Sequence, residues 1–420
     1  MSDRNGGSVC VVGGGIVGAM SAWYLADAGV QVPLVERDRF GAACSRGNCG
    51  YVAPSHVLPL CQPGAIRGSL KTLFERNSAF AIKPRASLRM LRWLYGFSRR
   101  CNERDMLRTA EALRGLLFSS KYLYLELVRE EGVECDWQER GLLNVYAEER
   151  GLEAFRPKER MLRERFGVGA TFLDREALLA LEPALKDNVA GAWHFEMDAH
   201  LRPDLLMESL RPRLEARGVR IVEGATVARF RGEAGAARAI ELESGDSIEA
   251  EHFVVATGAW TPFLERDLGL QIPSEPGKGY SITTSAPERM PTHPLILEES
   301  HVAITPMTGA YRIGSTMEFV GYDESLDARR LQRLTDAARK HLADPSGGEV
   351  RETLWGRRPM VWDGRPIIDR APALGNVVIA AGHSMIGISM GPATGRLVAE
   401  LVTGAEPHVD PAPFGVARFG

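Results

Sequence analysis

Apolar and polar positions in the first forty residues predict a strand, a turn, a helix and a second strand. Val9 to Val12 is an apolar run, three glycines follow at 13–15, and residues 16–28 carry apolar side chains at helical spacing. A second apolar run, 31–35, ends at Glu36. This strand–helix–strand unit predicts a parallel sheet covered by helices.

Later segments show both helical and strand periodicity. Residues 66–130 and 152–182 are mainly helical by spacing, whereas 278–320 alternates as antiparallel strands do. Apolar strands of the parallel type return at 253–256 and 377–381. The remaining predicted elements are strands at 142–146 and 219–222, helices at 205–216, 326–342 and 393–401, and a β-meander at 225–250.

This interleaving predicts an α/β protein whose domains are assembled from several stretches of chain. A chain of 420 residues is also longer than one hydrophobic core usually covers. We predict a Rossmann-type domain with a parallel sheet from residues 1–60, 170–262 and 345–420. A second domain, with a mixed antiparallel sheet and helices, is predicted from residues 61–169 and 263–344.

Composition and charge exclude several classes of protein. Hydrophobic residues make up 45% and charged residues 25%, which is typical of a globular chain and excludes disordered, collagen-like and coiled-coil proteins. The net charge is −3, yet residues 64–100 contain nine basic residues and one acidic residue. A nucleic-acid-binding domain carries basic charge over a whole face, so we expect no nucleic-acid partner.

Cysteine and histidine spacing gives no metal or disulfide signature. The six cysteines include no Cys-x-x-Cys pair and the histidines lack ligand spacing, so we expect a reducing compartment and no metal site. Residues 1–7 do not resemble a secretion signal, and we find no run of about 20 apolar residues. We therefore expect a cytoplasmic protein.

The glycine turn after the first strand has the spacing of a dinucleotide fingerprint, Gly13-x-Gly15-x-x-Gly18. Its glycines allow a tight turn, close approach of a pyrophosphate and close packing of helix on strand. The diphosphate then meets the positive end of the helix. Glu36 is placed to accept the ribose hydroxyls, which leaves NAD and FAD both open. Ile16, Val17 and Arg37, which flank these residues, complete the first part of the predicted cofactor site.

Two later segments favour FAD. Residues 254–259 form a strand that ends in a turn of small residues, Thr257-Gly258-Ala259. Residues 380–383 end a further strand at Gly382-His383, and glycines follow, beginning with Gly387. A helix beginning there would stabilise the negative charge of a reduced flavin ring.

Motifs along nearly the whole chain resemble the FAD-dependent D-amino acid oxidase superfamily. They are Gly13 to Glu36, Cys44 to Ser55, Ala256 to Trp260, Gly356 to Pro359 with Asp363 to Pro366, and Gly382-His383. The stretch from Ser45-x-x-Asn48-x-Gly50 through Pro63-Gly64 to Cys101-Asn102 is most similar to bacterial D-amino acid dehydrogenases. Three features depart from that group: Cys49, Asp369 and the segment 197–200.

The resemblance implies roles for particular residues. Ser45, Asn48 and Gly50 would line the flavin diphosphate and ring, with Cys44 and Cys49 in the same loop. The backbone of Val227 would hold the adenine, Gly258 and Trp260 would flank the ribose–phosphate arm beside Thr257, and Arg358 would bind the substrate carboxylate. The parallel-sheet domain would then bind FAD, and the second domain would bind the substrate.

Oxidation of an amino acid moves a hydride from Cα to flavin N5, so the protein must orient the substrate and neutralise charge. The planar guanidinium of Arg358 suits a carboxylate because it donates two parallel hydrogen bonds. Tyr280 is expected on the sheet above the ring, and His56 and Tyr51 follow the flavin motif closely. These four are the candidate catalytic residues. Arg358 has the alternative of a solvated surface charge, and each of the other three has a purely structural alternative. His383 is expected beside the flavin or in a turn.

The basic segment contains an amphipathic helix. Leu88, Leu91, Leu94 and Tyr95 share one face, Arg89, Arg92, Arg99 and Arg100 the other, and Trp93 and Phe97 lie at the margin. Such a helix either lies on anionic lipid or packs on its own domain. The resemblance implies that electrons pass to a membrane acceptor of the quinone type, so a location on the inner face of the cell membrane stays open.

We therefore predict FAD-dependent oxidative deamination of D-amino acids with an acceptor other than oxygen. By analogy with catabolic relatives, cyclic imino acids such as D-proline or D-hydroxyproline are the expected substrates. The alternatives are an O2-using oxidase of the glycine or sarcosine type, a non-catalytic flavin-binding subunit and an NAD-dependent enzyme.

Overall fold

The structure, a computed structural model, describes residues 7–66, 80–83, 87–345 and 348–419. Its helices are α1 Ile16–Asp27, α2 Leu88–Arg100, α3 Glu103–Arg129, α4 Glu149–Ala154, α5 Arg156–Phe166, α6 Arg175–Leu181, α7 Pro203–Ala216, α8 Glu265–Leu268, α9 Ala328–His341 and α10 Gly387–Thr403. Short 3-10 helices are Gly258–Leu264, Ala412–Phe414 and Val416–Phe419.

The strands up to the middle of the chain are β1 Val9–Val12, β2 Pro33–Val35, β3 Tyr51–Val52, β4 Phe80–Ile82, β5 Leu142–Tyr146, β6 Thr171–Asp174, β7 Gly191–Phe195, β8 Ala199–His200, β9 Arg220–Val222, β10 Val227–Glu233, β11 Ala236–Leu242, β12 Ser247–Glu249 and β13 His252–Val255. Those that follow are β14 Ser274–Ser285, β15 Leu295–Leu297, β16 Val302–Met307, β17 Ala310–Phe319, β18 Val350–Val361, β19 Ile367–Arg370 and β20 Val377–Ala381.

The first sheet has six strands in the order β19-β20-β13-β1-β2-β9. Its inner strands pair in parallel, and only β19 runs antiparallel to its neighbour β20. All four residues of β1 are buried, as expected for a strand covered on both faces. This sheet confirms the predicted Rossmann-type α/β fold.

Helix α10 packs closely against α1. A Cβ atom at Gly395 would lie 2.4 Å from the carbonyl carbon of Met20, so only glycine permits this approach. The glycines that suggested a turn after β20 therefore lie within a helix, and the prediction that this helix begins at residue 393 was wrong. It begins at Gly387.

The second sheet is mixed, in the order β18-β14-β17-β16-β15-β5-β7-β6, with β4 also paired to β17. Most pairs are antiparallel, whereas β15 pairs in parallel with β5 and β4 pairs in parallel with β17. Helix α9 covers one face with the fully buried Leu334. The predicted mixed sheet is confirmed.

Two predicted domain boundaries need correction. Strands β6 and β7 (171–195) and strand β18 (350–361) fall in ranges predicted for the parallel-sheet domain, yet they pair within the second sheet. The reason is that strand partners are set by contacts between distant segments, which local periodicity does not report. The division into an FAD-binding and a substrate domain stays a prediction.

Two predicted helical stretches contain strands. Strand β6 interrupts 152–182 and strand β4 interrupts 66–130, because each pairs with a neighbouring strand at a sheet edge. The parts of the second stretch at 67–79 and 84–86 lie outside the described residues. Helices α2 and α3 account for the rest of it.

Helix α2 packs on its own domain through a different face from the predicted leucine face. Its buried residues are Met90 and Trp93, and the Trp93 indole N–H donates to the Met360 carbonyl oxygen at 2.6 Å. Leu88 and Leu91 are 85% and 60% exposed. Leu88, Leu91 and Tyr95 are therefore exposed in the described part of the chain, whereas Leu94 packs against the cluster of Met90 and Trp93. No helix among the described residues is both long and apolar enough to cross a bilayer.

Candidate active site

A cavity of about 630 Å³ lies at the carboxyl ends of β1, β2, β13 and β20, and strand β18 of the second sheet closes it. Ligands of open α/β sheets bind at this edge. The predicted site residues that line it are Gly13, Gly15, Ile16, Val17, Glu36, Arg37, Cys44, Ser45, Asn48, Val227, Thr257, Gly258, Trp260, His383, Gly387 and Arg358. Those outside this lining are Gly18, Cys49, Gly50, Gly382, Tyr51, His56 and Tyr280.

The fingerprint glycines bring the start of α1 to the cavity wall. Gly13 has φ +110°, and a Cβ atom at Gly18 would lie 1.8 Å from the Gly13 carbonyl oxygen. Gly15 provides no side-chain cap for α1, and the Ile16 N–H donates to Ser45 Oγ at 3.0 Å. The positive end of an apolar helix therefore opens into the cavity, an arrangement that fits the diphosphate of FAD.

Glu36 is held rigidly at the end of β2. Its Oε2 accepts from the Gly14 N–H at 2.6 Å, and its Oε1 accepts from the Asp38 N–H at 2.9 Å. Each carboxylate oxygen keeps a further lone pair for a ribose hydroxyl. The guanidinium of Arg37 lies 4.3 Å from the centre of the Trp260 ring, and both side chains line the same part of the cavity. These contacts fit the ribose of the ADP moiety.

A buried arginine that the sequence analysis missed supports the loop at 44–50. Arg312 is 1% exposed, and its Nη1 donates to the carbonyl oxygens of Arg46 and Asn48, each at 2.7 Å. Its Nε donates to Thr283 Oγ1 at 2.9 Å. Burial lowers the pKa of Arg312, and the guanidinium stays charged. It thus fixes the backbone that carries Ser45 and Asn48.

Arg358 lies on β18 with its guanidinium in the cavity wall. Its Nη1 donates to the Thr316 carbonyl oxygen at 2.6 Å, and this is the one hydrogen bond that the guanidinium makes to the described residues. Burial lowers the pKa of Arg358, while the nearby thiols of Cys44 and Cys49 act in the opposite direction. Guanidinium N–H groups therefore remain for a carboxylate in a poorly solvated place.

The neighbouring Arg357 also lines the cavity, although only Arg358 was predicted. It is 1% exposed, and its guanidinium lies 4.5 Å from the ring centre of Trp355 and 5.4 Å from that of Trp260. Its Nη2 donates to the Tyr322 carbonyl oxygen at 2.5 Å. Burial lowers the pKa of Arg357. The signal was present in the motif, as two successive arginines that precede a proline.

Two predicted catalytic tyrosines serve the second sheet instead. Tyr280 packs on the side of α9 and its hydroxyl donates to Glu318 Oε2 at 2.8 Å, so it does not wall the cavity. The Tyr51 hydroxyl lies 2.9 Å from the carbonyl oxygens of Leu295 and Ile304. Both hydroxyls have protein partners, and neither residue lines the large cavity, so the predicted substrate contacts of Tyr280 and Tyr51 stay predictions without support from this geometry.

The predicted cofactor residues outside the lining pack the loops that frame the cavity. A Cβ atom at Gly50 would lie 2.0 Å from the Leu201 carbonyl oxygen, and one at Gly382 would lie 2.4 Å from Val361. The carbonyl oxygen of Cys49 accepts from Thr305 Oγ1 at 2.7 Å. These residues, like Gly18, shape the site without facing it.

His383 and Gly387 lie where α10 begins. His383 Nε2 pairs with Thr394 Oγ1 at 3.0 Å, and burial lowers the pKa of His383 to about 3. This imidazole is therefore neutral at physiological pH. Helix α10 has no side-chain cap, and Gly387 and Ile388 of its first turn line the cavity. Its predicted role in stabilising a reduced flavin ring stays a prediction.

A second cavity of about 60 Å³ contains the remaining candidate, His56. It shares Ser384 and Met385 with the large cavity, so the two adjoin. Burial lowers the pKa of His56 to about 4.

In the described ranges, we find no cluster of three His, Cys, Asp or Glu side chains placed to hold a metal ion.

Comparison with known proteins gives a match over nearly the whole chain. The family model described as DAO, FAD dependent oxidoreductase, matches residues 8–401. A D-amino acid dehydrogenase of Methylobacterium sp. (strain 4-46) is 33% identical over 421 residues, covering 98% of this chain and 99% of that protein. Another, of Agrobacterium fabrum, is 31% identical over 426 residues with the same coverage.

Solved structures share the fold. Glycine oxidase from Geobacillus kaustophilus superposes with a TM-score of 0.79 at 23% identity, covering 98% of this chain and 99% of that one. L-proline dehydrogenase from P. horikoshii gives 0.73 at 21% identity, covering 99% and 98%. The predicted flavoprotein resemblance and the predicted cofactor, FAD, are confirmed. This chain belongs to the DAO family of FAD-dependent oxidoreductases.

Proposed function

We propose that this protein oxidises D-amino acids, and that Arg358 binds the substrate carboxylate beside the flavin. One observation carries the proposal: the guanidinium of Arg358 lies in the wall of the same cavity that the dinucleotide fingerprint opens into. The relatives named D-amino acid dehydrogenase support the choice of substrate class.

The protein's own part in the reaction is positioning and charge. Two parallel hydrogen bonds from Arg358 fix the carboxylate and therefore the direction of the Cα–H bond. The bound flavin supplies the acceptor for the hydride. Because the imidazole of His383 is neutral and bonded to Thr394, we assign it no proton transfer. The substrate amine reacts in its neutral form, after its ammonium group has released a proton to water.

Small cyclic imino acids such as D-proline and D-hydroxyproline are our proposed substrates, with an electron acceptor other than oxygen. The test is anaerobic mixing of the holoprotein with D-proline, L-proline and D-alanine. We expect loss of flavin absorbance with the D compounds. If neither D-proline nor D-alanine bleaches the flavin, the proposal is wrong.

An oxidase that uses O2 is the second candidate, because glycine oxidase shares the fold. Peroxide released at the rate of substrate turnover would favour the oxidase. A non-catalytic flavin-binding subunit is the third candidate. Loss of turnover in Arg358→Ala with FAD retained would argue against it.

The exposed face of α2 is our proposed contact with the membrane that supplies the acceptor. Leu88, Leu91 and Tyr95 are exposed by 85%, 60% and 62%, and the exposed Arg92 lies beside them. Apolar side chains flanked by basic charge suit an anionic lipid surface. If α2 makes this contact, the protein lies on the inner face of the cell membrane, and this location is part of the same proposal.

Co-sedimentation with vesicles tests the contact. We expect binding to vesicles with an anionic lipid and weaker binding for Leu91→Glu. Tyr122→Glu is the matched control, since Tyr122 is 68% exposed on α3. Equal binding of the two variants, or no binding of the parent protein, would remove α2 as the contact.

A further inference from the structure

The small cavity lies between helix α2 and the large cavity. Trp93 and Phe97 of α2, Leu113 of α3 and Met360 of β18 line it with carbon atoms, and His56 contributes its imidazole. Ser384 and Met385 line both cavities. The Ser384 N–H donates to the carbonyl oxygen of Pro359 at 3.2 Å, so the wall that the two cavities share lies beside the residue that follows Arg358.

Two polar atoms at this recess have no partner. Nδ1 of His56 and Oγ of Ser384 are buried, and neither forms a hydrogen bond within the described residues. Buried polar groups are normally paired, so each such atom needs an explanation. Ser384 also has φ +51°, a strained conformation for a residue other than glycine and one that concentrates at ligand sites.

The imidazole is positioned by its own turn. The His56 N–H donates to the Ala53 carbonyl oxygen at 3.0 Å. The preceding Ser55 donates both its N–H, at 3.0 Å, and its hydroxyl to the buried carboxyl of Asp198. Asp198 lies in the segment 197–200, where the sequence departs from the dehydrogenases it resembles. The turn is therefore anchored, although its imidazole is unpaired.

The volume limits what the recess accepts. About 60 Å³ holds roughly two groups of the size of a water molecule. For comparison, an engineered apolar cavity of about 150 Å³ binds benzene. A side chain of two or three heavy atoms, or one edge of a five-membered ring, fits this limit, whereas an aromatic side chain does not.

We propose that this recess is the side-chain pocket of the substrate site and that it selects small amino or imino acids bearing a hydroxyl group, with His56 and Ser384 as the hydrogen-bond partners. The proposal rests on the proposed function of the adjoining cavity. Burial keeps the imidazole of His56 neutral, since its pKa is lowered to about 4. Nδ1 of a neutral imidazole is a donor or an acceptor according to the tautomer, and a hydroxyl group can pair with it in either case.

The first test compares matched substrates that differ in one hydroxyl: D-serine with D-alanine, and D-hydroxyproline with D-proline. We expect kcat/KM at least tenfold higher for the hydroxylated member, because a site built to hydrogen-bond a hydroxyl rejects the analogue without it. His56→Ala and Ser384→Gly should each reduce that ratio to within about threefold of one. The exposed His301 provides the control, His301→Asn, which should keep the ratio of the parent protein.

The second test separates this inference from the proposed function. α-Methylserine and 2-aminoisobutyrate differ by one hydroxyl and lack a hydrogen on Cα, so their binding can be measured by calorimetry without turnover. We expect at least tenfold tighter binding of α-methylserine, lost in His56→Ala. Equal binding of the two overturns the pocket assignment even if D-amino acids reduce the flavin. A binding preference without any reduction by D-amino acids would instead remove the proposed function.

Discussion

The guanidinium of Arg358 occupies the space that a side chain on Gly279 would fill. A Cβ atom at position 279 would lie 2.2 Å from Nη1 and 2.4 Å from Cζ of Arg358. The two residues lie on the paired strands β18 and β14. The proposed carboxylate-binding arginine therefore lies flat across β14, and the absent side chain at 279 makes that position available.

Gly279→Ala should displace Arg358 and leave the fold intact. The added methyl group meets the end of a flexible side chain, which can move, rather than backbone. We expect KM for the D-amino acid to rise at least tenfold, equal to about 1.4 kcal/mol. Steady-state kinetics with the FAD content measured by absorbance checks this. An unchanged KM would show that the position of Arg358 does not matter for binding.

Arg358→Lys should retain the charge and lose the pair of parallel hydrogen bonds. Charge-assisted hydrogen bonds contribute about 1.5–3 kcal/mol, so we expect kcat/KM to fall by roughly 10- to 100-fold. Arg92→Lys, on the exposed face of α2, is the matched control and should keep the activity of the parent protein. A fall of the same size in both variants would contradict the assigned role.

Arg312→Met should weaken FAD binding through the loop at 44–50. The substitution leaves the carbonyl oxygens of Arg46 and Asn48 without their donor, and each unpaired buried acceptor costs about 1–3 kcal/mol. We expect a lower ratio of flavin to protein absorbance after purification, together with a lower Tm. Full FAD retention at the Tm of the parent protein would rule out this support.

The Asp198 carboxyl should make stability depend on pH. Burial raises its pKa from 3.8 to about 7, so the folded protein holds this proton more tightly than the unfolded chain does. Stability from this group is therefore present at low pH and lost as pH rises from about 4 to about 7.

Asp198→Asn should remove that loss, because an amide can still accept from the Ser55 N–H. The stability of the variant relative to the parent protein should rise between pH 5 and pH 8, by at most about 3 kcal/mol. Thermal unfolding at the two pH values measures the gain. A constant difference between variant and parent across this range would mean that Asp198 does not titrate there.

Local patterns in the sequence were enough to predict the part of the cavity wall that the first βαβ unit forms. The fingerprint, its helix and Glu36 are close in the chain, so their contacts follow from one βαβ unit. In the second sheet, local patterns could not predict which face each side chain occupies. A register shift between Lys278 and Tyr280 in the pairing of β14 with β17 breaks the alternation that would place Tyr280 on one face.

Long-range partners explain the other misses. The hydroxyl of Tyr51 bonds carbonyl oxygens that lie 244 and 253 residues away in the sequence, and Arg312 reaches a loop that is 264 residues away. Helix α2 has two apolar stripes, and its periodicity does not say which one is covered. Trp93 contacts Met360 and Phe319, so the stripe that contains Trp93 is the covered one.

A crystal structure of the holoprotein with 2-aminoisobutyrate tests the central claim most directly, since this ligand carries the carboxylate and amine but cannot be oxidised at Cα. We expect the FAD diphosphate at the start of α1 and the ligand carboxylate on the guanidinium of Arg358. A carboxylate bound elsewhere in the cavity, with Arg358 making no contact to it, would contradict the proposed function.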